Sequence, residues 1–110
     1  MTEEQIELGR RAVACKGWRW MPGMLDQWGL RYAGTHVNHT RAIPDVTDPA
    51  TLGCLLALVR KVWGDLHMVA RCDDRHGKVS WWICRWGDLP RSRECFTEAE
   101  ALVAALEDAP

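Results

Sequence analysis

The sequence predicts an α+β fold: a small antiparallel sheet, hairpin or meander, sandwiched by three helices at about residues 3–15, 49–63 and 98–108. Three observations carry that prediction. Apolar residues recur at three- and four-residue steps in three stretches, each opened by a capping residue. Between the second and third of these the period drops to two. The run Lys78–Trp86 is apolar on both of its alternating faces, so helices are expected on both sides of its sheet.

Helix signals are clearest from Asp48 to Gly64. Asp48 caps the first free amides, and Pro49 at the first helical position gives up no useful donor. Leu52, Leu55, Leu56, Val59, Val62 and Trp63 form a wide apolar stripe. Arg60 and Lys61 suit the negative end of the helix dipole, and Gly64 is placed to stop the helix in a left-handed conformation. Gly53 is the one poor helix former inside, so a neighbour is expected to pass close to it. This stretch is expected to be the core helix, with one face of the hairpin against it.

The first helix opens on Thr2 and Gln5, which have the spacing of a capping box, and Lys16-Gly17 stops it. Trp18-Arg19-Trp20-Met21-Pro22-Gly23-Met24 follows. In an extended chain both indoles share a face, with Arg19 on the other. The preferred reading is that at least one of the two plugs the end of the core, with Arg19 solvated. The alternative is a recognition loop of aromatic and guanidinium surfaces.

Leu30 to Val37 alternates enough for a strand with a glycine kink. His36 and His39 are three apart, but no acidic residue or Cys nearby completes a metal site, and structural or solvated histidines are expected. His67–Cys72 and Lys78–Trp86 read as two strands joined by the turn Asp73-Asp74-Arg75-His76-Gly77. Arg91–Phe96 reads as a short third strand. Thr97 caps the last helix, and Glu100 is expected to complete a capping box. Its apolar face is Ala101, Leu102, Ala105, Leu106 and Ala109.

The 110 residues suit one domain spanning 1–110. A net charge of −1 gives no global field to draw in DNA or a membrane surface. No stretch approaches the ~20 apolar residues of a membrane span, and the acidic N-terminus does not read as a signal peptide. The five cysteines contain no C-x-x-C pair and read as free thiols in a reducing compartment. No motif pairs a nucleophile with a base, and there is no phosphate-binding glycine loop. A non-enzymatic protein without cofactor or metal is expected.

The unusual feature is seven Trp beside one Tyr and one Phe. Arg19, Arg31, Arg71, Arg85, Arg91 and Arg93, with Trp20, Trp82 and Trp86, would suit a nucleotide-like ligand. Guanidinium forks grip phosphates and indoles stack on bases. The same residues would suit a protein interface.

Residues 18–24, 48–60 and 97–106 together resemble small proteins of tailed phages and prophages and, more distantly, the phage ABA-sandwich domain family. The resemblance implies a phage accessory protein in the host bacterial cytoplasm that counters host defence. Its first expectation is a homo-oligomeric sponge that sequesters a nucleotide second messenger, with Arg19, Trp20, Arg85, Trp86, Arg91 and Arg93 as ligand contacts. The alternatives are an inhibitor that binds a host defence protein and an enzyme that cleaves the nucleotide. The resemblance brings no catalytic residues with it.

Overall fold

A computed structural model describes residues 1–34, 40–85 and 93–110. Its elements are α1 (Glu3–Val13), α2 (Pro49–Trp63), β1 (Val69–Arg75), β2 (Lys78–Cys84) and α3 (Glu98–Glu107). The α+β class, the three helices and the antiparallel hairpin are those the sequence predicts.

The helix ends show why these stretches fold as they do. At α1 the capping box is complete: Gln5 N–H donates to Thr2 Oγ1 at 3.2 Å, and Thr2 N–H donates to Gln5 Oε1 at 2.8 Å. At α2 Asp48 accepts from the Thr51 amide at 3.0 Å, and Gly64 closes the helix at φ 64°. At α3 Thr97 accepts from the Glu100 amide at 3.1 Å. The Glu100 carboxylate returns no bond, so the expected second half of that box is not made. α1 ends at Val13, two residues before the expected boundary, where Cys15 N–H bonds back three residues to Ala12 and tightens the chain.

The helix at the centre is α3. Ala99 and every residue from Ala101 to Leu106 are buried, so it is apolar all round and covered all round. It packs against α1, α2 and both strands. The sequence reading put α2 in that place and gave α3 one apolar face. The physical reason is side-chain size: alanines let several elements approach one helix axis closely. Larger residues of α2, including Leu52, Leu56 and Trp63, are only half-buried. One apolar cluster draws on all three helices and on Met24, Val46, Met68 and Ile83.

Gly17 lets the chain pass close to α2: a Cβ there would stand 2.3 Å from Val62 Cγ1. Gly53 behaves oppositely to expectation, being exposed with nothing within 4 Å of a Cβ position. Trp63 joins α2 to α3 by donating its indole N–H to Ala105 O at 2.9 Å. That carbonyl is one of the last four of α3, which lack partners within the helix.

The hairpin turn is tighter than predicted. Asp73 and Asp74 lie in β1, opposite Ser80 and Val79, and only His76 and Gly77 connect the strands. Both have positive φ, 55° and 77°, as the two-residue turn that matches strand twist requires. β2 ends at Cys84. Ala70, Trp81 and Ile83 belong to one face, which joins the core. On the other face Trp82 and Cys84 are buried as well, so that face is covered at its far end. The expected third strand amounts, in the described residues, to a bridge of Cys95 with Trp81, its two hydrogen bonds at 2.7 and 2.8 Å. The expected strand from Leu30 shows a single bridge, Arg31 with Leu25, and its residues 35–37 lie outside the described residues.

Candidate functional site

The six residues expected to contact a ligand have different fates. Trp20 packs against the core and meets Trp18 edge-on at 5.4 Å and Tyr32 at 6.4 Å. Arg19 between the two indoles is exposed. This is the arrangement in which the tryptophans close the core. Arg85 lies at the end of α2, its Nε 2.9 Å from Asp65 Oδ2 without the alignment of a hydrogen bond, and its Nη2 3.4 Å from Trp63 O. Arg93 pairs with Glu107 at 3.0 Å and with Asp108 at 3.1 Å at the end of α3. Trp86 and Arg91 lie outside the described residues, as do His36 and His39.

Arg85 and Arg93 are therefore paired within the chain. Glu107 also takes Arg11 through two hydrogen bonds, at 2.6 and 3.1 Å. The Arg11 bond, with that of Arg93, holds the Glu107 carboxyl below its ordinary range. Arg31 spends its guanidinium on the two Asp48 oxygens, at 3.0 and 3.3 Å, and on Gly23 O at 2.7 Å. That pair lowers the Asp48 pKa and steadies the cap of α2.

Three of the five cysteines sit where a thiolate is disfavoured. Burial raises the Cys15, Cys54 and Cys95 thiols, the reverse of what a reactive thiolate needs. Among the described residues no three His, Cys, Asp or Glu side chains gather as metal ligands. No described helix is long and apolar enough to cross a membrane.

The most distinctive surface feature was missed by the sequence reading. Asp26 is only 4% exposed, and its Oδ1 accepts the amides of Trp28 and Leu30, both at 2.9 Å. The Asp26 amide donates to Leu30 O at 2.9 Å, closing a tight loop. Gln27 fastens this loop to the following segment, accepting from Ile43 N at 2.7 Å and donating to Arg41 O at 2.9 Å. Leu25 N–H donates to Thr51 Oγ1 at 3.0 Å, which ties the loop to α2. The result is a braced loop that holds Trp28 55% and Leu30 63% exposed. The available signal was Asp26-Gln27-Trp28-Gly29: an acidic side chain that bonds its own backbone ahead, with Gly29 at φ 81°.

Two of the clefts on the described surface adjoin charged side chains and an apolar or aromatic lining. One, about 770 Å³, lies between the starts of α1 and α3, lined by Leu8, Val46, Leu52 and Ala99 together with Glu4, Glu7, Glu98 and Glu100. The other, about 460 Å³, lies on the hairpin, where Arg75, His76 and Lys78 surround Trp82 beside Asp73 and Glu94. No family model matches the chain, and neither a curated protein nor a solved structure does.

Proposed function

We propose that the protein is a non-enzymatic binder of a partner protein, with the Trp28–Leu30 loop as its anchor. The braced loop is the observation that carries this reading. An exposed Trp held in place before binding loses little freedom on docking, and Trp is among the commonest residues to dominate interface energetics. The pairing of Arg85 and Arg93 with internal carboxylates speaks in the same direction, since neither is left to meet a phosphate. In the setting implied by the resemblance, the protein is a phage inhibitor of a bacterial defence complex acting in the host cytoplasm.

A second reading keeps the nucleotide sponge. The hairpin cleft supports it, since it sets Arg75 and Lys78 beside an indole. Against it, Trp82 is only 9% exposed and offers a base little surface for stacking.

The test uses immobilised protein and lysate of defended bacteria. The expected result is one partner retained by the parent and by Arg19→Ala, and lost from the folded Trp28→Ser/Leu30→Ser variant. Equal retention by that double variant overturns the loop as anchor. Incubation with a panel of immune nucleotides, washing, heating and mass spectrometry tests the second reading. An intact nucleotide released on heating would replace the first reading with the sponge.

A further inference from the structure

We infer that the groove between the starts of α1 and α3 is a second binding surface, and that it takes a basic, apolar-anchored segment of a partner protein. The groove is distinct from the Trp28 loop, and one chain segment runs from one to the other. Ile43 bonds Gln27 of the loop, and Val46 and Thr47, just beyond it, line the groove. Buried Leu8, Val46 and Ala99 form its floor, and half-buried Leu52 is the apolar side chain it presents, so all three helices and the connection before α2 contribute.

The occupant follows from charge. Glu4, Glu98 and Glu100 line the groove and have no ion pair among the described residues. Arg11 also lines the groove, but both its hydrogen bonds go to Glu107. Glu7 is paired with Arg10 at 3.3 Å. The two helix N-termini contribute about half a positive charge each, which leaves the three carboxylates in excess. Glu100 does not return the bond to the backbone of Thr97, although it lies within the field of Arg11. Such a groove repels a phosphate and suits Lys or Arg, whose stems cover apolar surface while their heads reach carboxylates. A leucine-type side chain between the cations would cover Leu52.

The probe is a short amphipathic Leu/Lys peptide, with a Leu/Glu peptide of the same pattern as control. Binding is followed by backbone amide shifts of the full protein. The expected result is saturable shifts at residues 2–8, 46–52 and 97–100 with the Leu/Lys peptide and none with the control. Affinity should fall about tenfold in Glu4→Gln/Glu98→Gln/Glu100→Gln, from about half a kcal/mol per surface charge. A second measurement needs no variant: raising salt from about 50 to about 500 mM should weaken binding to the parent. No binding, shifts elsewhere, equal binding of the control, or salt-independent affinity would each overturn the inference. The Trp28 loop reading would be untouched by such a failure, because partner retention is lost or kept there through different residues.

Discussion

Gly17→Ala should destabilise the protein by about 1–2 kcal/mol, and the reason is one contact. The added Cβ would lie 2.3 Å from Val62 Cγ1, whereas carbon atoms pack at about 3.5–4.0 Å. Leu106 Cδ1, at 3.5 Å, would accept it without strain. Val62 cannot simply turn aside, because a β-branched residue in a helix strongly prefers one rotamer. Overpacking of this kind costs about 1–3 kcal/mol. Replacing Gly restricts the unfolded chain and returns about 0.4–1 kcal/mol. Gly17 does not have a positive φ, so no backbone strain adds to the balance. Urea unfolding reads the change as a lower midpoint at constant slope. In a Val62→Ala background the clash is gone, and Gly17→Ala should become neutral or slightly stabilising. A neutral Gly17→Ala in the parent, or a cost that persists beside Val62→Ala, would refute the reasoning.

The same substitution at Gly53 should raise stability by about 0.5–1 kcal/mol in urea unfolding, since the site is helical and has open space around it. Asp26→Ala should cost about 1–3 kcal/mol and speed hydrogen exchange at the Trp28 and Leu30 amides, because both lose their acceptor. Trp63→Phe should cost about 1 kcal/mol by leaving Ala105 O without its donor, again read from the urea midpoint. Acid should weaken the fold in a specific window. Glu107 and Asp48 titrate below their ordinary values of 4.5 and 3.8, so their contribution is complete above those values and is lost as pH falls through the lowered ones. Urea midpoints measured between about pH 6 and pH 2 should fall less steeply for Arg11→Met and Arg31→Met, which lack the stabilising partners.

Local signals were legible because local chemistry decides them. Asp48, Pro49 and Gly64 mark both ends of α2 through bonds that close within four residues. Gly77 marked the hairpin, although its tightness depended on His76 taking a positive φ, which the residue type does not announce. The central place of α3 was not legible. Alanine is as good a helix former on a surface as in a core, so Ala101, Ala104 and Ala105 carry no mark of what surrounds them. The partners of the candidate arginines were not legible for a related reason. Arg85 meets Asp65 across 20 positions and Arg93 meets Glu107 across 14, and composition does not say which cations find such partners. The Trp28 loop was half legible: its turn is local, but its bracing comes from Ile43 and Thr51.

The position of α3 along the chain also sets a timetable. Thirty-four residues separate Trp63 from Glu98, and ribosomes add about 5–20 residues each second. α1 and α2 therefore leave the ribosome about 2–7 seconds before the helix they enclose, and the hairpin, which ends at Cys84, about 1–3 seconds before it. Until α3 arrives, Leu55, Leu58, Val59 and Ile83 lack the largest part of the cluster they close upon. The newborn chain holds a mould without its filling, and its apolar walls stand open to chaperones throughout that interval.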